Sequence, residues 1–468
     1  MKNQILSVGI DIGTSTTQII FSKIFLQNTS SLFQVPEIKI TDTIIIYKSD
    51  IYFTPLLSRE QIDLKAIKAI ITLEYEKAGV KKEEISTGAI IITGETARKE
   101  NSEEVLKYLS DFAGDFVVAT AGPDLEGILA GFGAGASLAS KDFTSRVINF
   151  DIGGGTTNAS VFWDGEVLDS FALNIGGRLI QFNDIGEITY VSEKIKPLIR
   201  SLNLNLVIGI IPEFKTLKQL TDVFARMFPK INKGTSLDKE SERLFIQHKH
   251  KGLESEIIMF SGGVAEFIYS NEEINTLEAT TRFGDIGPLL GYSIRKTFED
   301  NNLKVLVPNE KIRATVIGAG TYSLKLSGST IVFEESLLPL KNIPIIKLFS
   351  KEENLLDIYK IIFQKLELYN EKTIAIAFNG PKSPSYLEIK TMASSIVEAN
   401  KNRNAPIIVI VVQDFAKALG LCLNNLLKGS KSVICLDRIK VDNGDYVDIG
   451  KPIANVIPVV VKTLIFKK

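Results

Sequence analysis

Apolar and polar residues follow one another in patterns that predict a mixed α/β protein. Residues 5–21 and 147–162 each combine an apolar strand, a glycine-rich turn and a second strand, which is the pattern of a β-hairpin. Residues 59–78 carry apolar residues at helical spacing, so an amphipathic helix ending near Gly79 is predicted. Further strands are predicted at 38–40, 43–47, 89–94, 117–119 and 188–191, and further helices at 102–112 and 216–228.

Two stretches, 122–136 and 313–324, are rich in glycine and alanine. Glycine inside a helix costs roughly 1 kcal/mol relative to alanine, so several glycines in one helix need a structural reason. Close approach of one helix to another is such a reason. A flexible loop is the alternative for the first stretch.

Residues 334–468 predict a separate domain, because strands and helices alternate there. Residues 441–445 within it have the composition of a hairpin turn. Nothing in this region resembles a catalytic motif. A partner-binding module and an elaboration that only stabilises the fold are equally compatible with the pattern.

Length and composition add limits to this picture. The chain has 468 residues, so two to three domains are expected, and we place them at 1–145, 146–333 and 334–468. Its 54 basic and 55 acidic residues give a net charge of −1, so no nucleic-acid partner and no membrane-surface partner is expected. Two cysteines fit a reducing cytosol, and a cytoplasmic location is expected. No apolar run is long enough to span a bilayer, and Met1 leads straight into a predicted strand, which argues against a signal peptide.

The two predicted hairpins share an aspartate that is followed by glycines and hydroxyl residues. Asp151 ends the first strand of one hairpin, and Asp11 occupies the matching position in the other. Glycines let the backbone approach a ligand, and successive N–H groups in such a turn form a nest for an anion. One turn of this kind is weak evidence, but a duplicated one predicts two similar halves facing one polyphosphate. Asp11 and Asp151 would share a divalent cation such as Mg²⁺. The predicted phosphate contacts are Gly13, Thr14, Ser15, Thr16, Gly153, Gly154, Gly155 and Thr156.

A third glycine turn, Gly262 and Gly263, follows a buried strand and opens a predicted helix. A helix N-terminus favours negative charge, and glycines let the backbone lie against a nucleotide. Taken alone, this pair is better explained as a plain turn. We include Gly262, Gly263 and, from the second glycine-rich stretch, Gly318 as candidate nucleotide contacts.

These motifs resemble those of the actin, sugar-kinase and Hsp70-type ATPase superfamily. The hairpins are similar to its phosphate-1 and phosphate-2 segments, and the glycine-rich stretches are similar to the two connect helices that form its hinge. The third glycine turn takes the place of its adenosine segment, and the order along the chain matches. The resemblance implies an α/β, actin-like ATPase fold in which two RNase H-like domains surround a cleft for ATP and Mg²⁺, here with a C-terminal α/β accessory domain.

Three more specific stretches, 87–101, 119–126 and 437–447, resemble the reactivating factors of ethanolamine ammonia-lyase in bacterial ethanolamine utilisation. This resemblance covers nearly the whole chain. It implies an ATP-dependent chaperone that opens the adenosylcobalamin-dependent lyase, so that damaged cobalamin leaves and intact cofactor binds. The implied partners are ethanolamine ammonia-lyase and ATP or ADP. A homodimer and an association with the ethanolamine microcompartment are left open.

Two other functions fit the superfamily. The first is a small-molecule kinase, for which we find no distinct sugar-binding signature. The second is a filament-forming, actin-like protein. Outside the nucleotide motifs, His248 and His250 could ligate a metal, but no carboxylate or thiol pattern accompanies them, and a surface loop is favoured.

The implied ATPase departs from its Hsp70-type relatives at one position. In those relatives a Glu before the Pro of the first connect segment activates or orients the attacking water. Here that position is Gly122, and the nearest acids are Asp124 and Glu126. Hydrolysis needs a water in line with the γ-phosphate. We therefore expect slow turnover, with Asp11, Asp151 or Asp124 aiding water placement.

Overall fold

The computed structural model describes most of the chain. The described residues are 3–14, 16–29, 38–58, 61–93, 96, 99–102, 104–105, 108–109, 117–120, 123–301, 303–322, 324–327, 331–348, 358–367, 372–442, 445–452 and 456–463. Gly122, much of the predicted helix at 102–112 and the centre of the predicted turn at 441–445 lie outside them.

The first lobe is built on a sheet with the strand order β3-β2-β1-β5-β6. Its elements are β1 (Asn3–Ile12), β2 (Thr16–Asn28), β3 (Ile38–Lys48), β4 (Tyr52–Phe53), α1 (Leu64–Ala78), a 3₁₀ turn (Lys82–Glu84), β5 (Thr87–Ile92) and β6 (Val117–Thr120). Strands β1 to β3 are antiparallel, and β5 runs parallel to β1. The predicted hairpin at 5–21 is confirmed, and the predicted helix at 59–78 is confirmed over Leu64–Ala78, because it begins after Asp63 and not at residue 59. Asp63 caps the start of α1, and Gly79 ends it with a φ of 66°.

The second lobe repeats this arrangement with the strand order β12-β9-β8-β7-β13. Its strands are β7 (Val147–Ile152), β8 (Thr157–Trp163), β9 (Glu166–Leu173), β10 (Ile180–Phe182), β11 (Ile188–Val191), β12 (Phe245–Ile246) and β13 (Ile257–Ser261). Strands β7 to β9 are antiparallel, and β13 runs parallel to β7, as β5 does to β1. The predicted duplication, and with it the actin-like α/β architecture, is therefore confirmed by topology.

The helices between residues 123 and 322 are mostly short. They are α2 (Pro123–Ala134), α3 (Ala136–Asp142), α4 (Lys196–Ser201), α5 (Phe214–Asn232), α6 (Lys239–Glu242), α7 (Ala265–Ile268), α8 (Leu277–Thr281), α9 (Gly287–Asp300) and α10 (Ala314–Tyr322). Helix α5 contains the predicted helix at 216–228. In the described part of the chain, no helix combines the length and the apolar character needed to cross a bilayer.

Helices α2 and α10 cross each other, and each packs on the sheet of the lobe that it does not follow in the chain. Helix α2 follows the first sheet but packs on β7, β8 and β9 of the second, whereas α10 follows the second sheet and packs on β1, β2 and β5. At the crossing, a Cβ built on Gly133 would overlap the Ala314 carbonyl oxygen, and one built on Gly318 would overlap that of Leu129. The glycine-rich stretches are thus helices that need glycine for close approach, and the flexible-loop alternative is wrong.

The C-terminal domain has a sheet with the strand order β14-β20-β19-β15-β16-β17-β18. Its elements are β14 (Leu324–Leu326), a 3₁₀ turn (Glu335–Leu337), β15 (Leu340–Lys347), α11 (Ile358–Leu366), β16 (Ala375–Phe378), α12 (Tyr386–Ala399), β17 (Ile407–Val411), α13 (Ala416–Leu427), β18 (Val433–Leu436), β19 (Asp445–Ile449) and β20 (Pro458–Thr463). Because β14 pairs with β20, this sheet includes residues that precede the predicted boundary at 334. Val460 of β20 packs with Ile5 and Ile91 of the first lobe.

Candidate functional site

A cleft of about 690 Å³ lies between the two lobes and takes residues from both hairpins. The structure brings most of the predicted contacts together there. They are Asp11, Gly13, Thr14 and Thr16 from the first lobe and Asp151, Gly153, Gly154, Gly155, Thr156, Gly262 and Gly263 from the second. Ser15, also predicted as a phosphate contact, lies outside the described residues.

The two hairpin turns have the same hydrogen-bonding pattern. Gly13 N–H donates to the Thr16 carbonyl at 2.8 Å, and Gly153 N–H donates to the Thr156 carbonyl at 3.0 Å. The residue before each glycine accepts a hydrogen bond from the segment that follows the neighbouring parallel strand. Thr93 N–H donates to the Ile12 carbonyl, and Val264 N–H, beyond the Gly262 turn, donates to the Ile152 carbonyl. The two turns therefore present equivalent backbone to the cleft from opposite lobes.

Asp11 is a buried carboxylate at the end of β1. Its Oδ1 accepts a hydrogen bond from Thr93 Oγ1 at 3.0 Å. Burial, and then the negative charge of Asp151, raise the pKa of Asp11 to about 7, although the Thr93 bond acts in the opposite direction. A carboxylate in such a place gains from a cation that would replace its lost hydration.

Asp151 occupies the equivalent position in the second lobe. Its Oδ1 accepts from Ser261 Oγ at 2.6 Å, and its Oδ2 accepts from Thr315 Oγ1 at 3.3 Å. Burial raises the pKa of Asp151 to about 6, and the two hydroxyl bonds lower it in part. Thr315 belongs to α10, which follows the second sheet and packs on the first, so this bond joins Asp151 to a helix that passes between the lobes.

Sequence reasoning missed the hydroxyl groups that hold the two aspartates. Thr93 follows β5, and Ser261 ends β13, and each of these strands is the parallel neighbour of the strand that carries the aspartate. The signal was present as a hydroxyl residue at the end of the next apolar strand. It becomes informative only when the strand pairing is known.

The cleft carries an excess of negative charge. Two described lining residues are basic, Arg178 and Arg282, whereas the acidic ones are Asp11, Glu126, Asp151, Asp184, Glu266 and Asp285. A polyphosphate is itself an anion, so it needs a cation to enter such a site. Two buried carboxylates facing phosphate oxygens are the ligand set that Mg²⁺ uses in nucleotide sites, and these residues fit that ion.

Asp124 was predicted to aid water placement, but it is not among the described residues that line the cleft. It is instead paired with His248, whose Nε2 lies 3.0 Å from Asp124 Oδ1, and this bond raises the pKa of His248. Glu126, two residues further along α2, lines the cleft. His250 packs against Phe171 and Phe245.

The three candidate glycines outside the hairpins lie in different surroundings. Gly262 has a φ of 84°, and a Cβ there would overlap the backbone of Ile152, so glycine is required by the turn itself. Among the described residues, a Cβ on Gly263 would meet only Ile312 Cδ1, at 3.8 Å, which leaves room for a ligand. Gly318, predicted as a nucleotide contact, lies in the helix crossing and not among the described residues of the cleft.

Solved structures align with this chain at low identity. A Ppx/GppA family protein of Aquifex aeolicus matches with a TM-score of 0.40 and 16% identity, covering 67% of this chain and 97% of its own. The ethanolamine utilization protein EutJ from Carboxydothermus hydrogenoformans matches with a TM-score of 0.35 and 14% identity, covering 67% and 89%. These scores are too low to add to the topology described above.

Sequence relatives match over the full length. The family model described as ethanolamine utilisation protein EutA matches residues 3–467. The ethanolamine ammonia-lyase reactivase EutA of Escherichia coli strain K12 is 37% identical over 472 residues, covering 99% of each chain. The protein of the same name from Salmonella typhimurium is 35% identical over 473 residues, again covering 99% of each. The chain described here belongs to the EutA family of ethanolamine utilisation proteins.

Proposed function

We propose that this protein is an ATP-dependent reactivating factor for adenosylcobalamin-dependent ethanolamine ammonia-lyase. It would open the lyase so that damaged cobalamin leaves and intact cofactor binds. Two full-length relatives, at 37% and 35% identity, carry the name ethanolamine ammonia-lyase reactivase. The observation that supports the proposal for this chain is that Asp11 from one lobe and Asp151 from the other line the same cleft.

In this proposal the nucleotide lies between the two hairpin turns. Gly13, Thr14 and Thr16 contact its phosphates from one lobe, and Gly153 to Thr156 contact them from the other. Asp11 and Asp151 would hold Mg²⁺, which would neutralise part of the phosphate charge. A nucleotide that contacts both lobes binds more tightly when the lobes are close together than when they are apart. This difference in affinity shifts the protein towards the arrangement with the lobes close together.

We propose Glu126, in place of Asp124, as the acid that aids water placement. Glu126 lines the cleft from the first turn of α2, whereas the carboxylate of Asp124 is taken by His248. Asp11 and Asp151 remain candidates for this role through the water shell of the metal. Turnover is expected to be slow, because no acid precedes Pro123 at the usual position of the superfamily.

The small-molecule kinase is not favoured, because the full-length relatives are named as reactivases. The proposal requires neither a homodimer nor residence with the ethanolamine microcompartment. They do not affect the assignment of the cleft.

The test is reactivation of a damaged client. Ethanolamine ammonia-lyase inactivated with hydroxocobalamin is mixed with this protein and free adenosylcobalamin, with and without ATP and Mg²⁺. We expect deamination of ethanolamine to return only when both ATP and Mg²⁺ are present. Recovery without nucleotide, or no recovery with the complete mixture, would contradict the proposal.

A further inference from the structure

Arg178 lines the cleft, and among the described residues its side chain has no hydrogen-bond acceptor. Within the part of the chain that the structure describes, it forms no ion pair and no side-chain hydrogen bond, and its Nε is buried. The other basic lining residue, Arg282, is taken by Glu272, with Nη2 2.7 Å from Oε2. A buried N–H group without an acceptor costs about 1–3 kcal/mol. The described residues around Arg178 therefore do not provide an acceptor for this N–H group, and a bound ligand could provide one.

The backbone of Arg178 is hydrogen-bonded directly to the hairpin turn of the second lobe. Gly177 N–H donates to the Gly153 carbonyl at 3.0 Å, and Arg178 N–H donates to the Gly154 carbonyl at 2.6 Å. A Cβ on Gly176 would overlap the carbonyl oxygen of Gly154, so the two segments are in close contact. These contacts tie the backbone of Arg178 to the turn at Gly153 and Gly154, so the base of the Arg178 side chain is held next to that turn.

A second contact holds the same loop from the other side. Ile286 N–H donates to the Gly177 carbonyl at 2.9 Å, and a Cβ on Gly177 would lie 3.0 Å from Gly287 Cα. Asp285, next to this contact, also lines the cleft, but its Oδ1 accepts from Gly287 N–H at 2.8 Å. Asp285 interacts with Arg178 only through longer-range charge and does not form a hydrogen-bonded pair with it.

We propose that Arg178 binds the phosphate chain of the nucleotide and is a phosphate contact outside the two hairpins. This inference rests on the proposed function, because it needs a nucleotide in the cleft. A guanidinium presents paired N–H donors that match two phosphate oxygens, and such charge-assisted bonds are about twice as strong as neutral ones. Phosphate would also supply the acceptor that Arg178 lacks in the described structure.

The experiment is calorimetric titration of the full-length protein with ATP, ADP and adenosine in the presence of Mg²⁺. Arg178→Gln is compared with the wild type and with Arg226→Gln, which removes the same charge from an exposed position on α5. We expect Arg178→Gln to weaken ATP and ADP binding about tenfold or more, which corresponds to 1.4 kcal/mol. Adenosine binding, and every affinity of Arg226→Gln, should stay at the wild-type value.

Further variants separate this role from others. Arg178→Lys keeps the charge but loses the paired donors, so we expect its ATP affinity to fall below the wild type while its thermal midpoint without nucleotide is retained. An unchanged ATP affinity in Arg178→Gln or in Arg178→Lys would overturn the inference. If Asp285→Asn added to Arg178→Gln restored wild-type binding, Arg178 would serve to neutralise Asp285, and the inference would also fall. A wild-type protein that binds no nucleotide would instead overturn the proposed function itself.

Discussion

At the scale of single residues, the cleft depends on two buried aspartates, one from each lobe, and on the hydroxyl groups that donate hydrogen bonds to them. Asp11 and Asp151 stand out because the same turn occurs twice. Thr93 and Ser261 depend on which strand lies beside each aspartate, and that pairing is a tertiary property. The choice between Asp124 and Glu126 depends on the rotation of α2 about its axis, which the spacing of acids does not determine.

The first prediction concerns the two carboxylates. Asp11→Asn and Asp151→Asn keep the size of the side chain and remove its charge, so each should weaken Mg²⁺-ATP binding roughly 10–100-fold, as expected for loss of a charged contact. Each should also abolish nucleotide-dependent reactivation of the lyase. Calorimetry and the reactivation assay measure these effects. Asp300→Asn, at an exposed position at the end of α9, is the control, and native affinity in either cleft variant would refute the metal assignment.

The second prediction is that pH changes the stability of the free protein and its stabilisation by Mg²⁺-ATP in opposite directions. Burial raises the pKa of Asp11 to about 7 and that of Asp151 to about 6, above their ordinary value. The folded protein then binds more protons than the unfolded chain between about pH 4 and 7, so the free energy of unfolding should fall as pH rises through this window. Mg²⁺ binds the ionised carboxylates, so the stabilisation by Mg²⁺-ATP should rise over the same range.

Thermal midpoints with and without Mg²⁺-ATP, taken between about pH 5 and 8, measure both trends. The variant with both Asp11→Asn and Asp151→Asn serves as the control, because it should lose the part of each trend that these two groups cause. A ligand stabilisation that is the same at both ends of the range would contradict the prediction.

At the scale of elements, the hairpins and the glycine-rich helices followed from local pattern, whereas their packing did not. The glycines in these helices indicated close approach of another helix. They did not indicate that α2 packs on the second sheet and α10 on the first. The sheet of the C-terminal domain likewise includes β14, which precedes the predicted boundary at 334 and joins the sheet through pairing with β20. Such long-range pairing leaves little trace in short windows of sequence.

The third prediction tests the helix crossing. Gly318→Ala places a methyl group against the Leu129 backbone, which cannot move away as a side chain could. We expect a loss of about 3 kcal/mol in the free energy of unfolding, at the upper end of overpacking effects. Gly79→Ala, with a φ of 66° and no atom of the described residues within 4 Å of the new Cβ, is the control and should cost about 1 kcal/mol. Equal losses in urea denaturation would argue against close packing at the crossing.

At the scale of the whole molecule, the sequence predicted two lobes and a C-terminal domain, but not how the third part sits on the first. Val460 lies in one hydrophobic cluster with Ile5 and Ile91, and β20 contacts β6, so the C-terminal domain adjoins the first lobe. The lobes are also linked by Arg313, whose Nη2 donates to the Ser49 carbonyl at 3.0 Å, and by the Lys48–Glu310 ion pair. Movement at the cleft can therefore reach the C-terminal domain through the first lobe.

The fourth prediction is that Mg²⁺-ATP brings the lobes together. Cys422 and Cys435 are buried, so cysteines introduced at the exposed positions Lys65 and Lys215 can be labelled selectively. Lys65 lies on α1 of the first lobe and Lys215 on α5 of the second. Energy transfer between the two dyes should increase when Mg²⁺-ATP is added, and Asp11→Asn should remove the increase. A transfer efficiency that does not respond to nucleotide would contradict closure of the cleft.

The most direct measurement is a crystal structure of the protein with a non-hydrolysable ATP analogue and Mn²⁺, whose anomalous signal marks the metal. One Mn²⁺ should lie between Asp11 and Asp151, bound by their carboxylates directly or through its water shell, with the triphosphate between the two hairpin turns. A triphosphate bound outside this cleft, or a metal that contacts neither aspartate, would contradict the account.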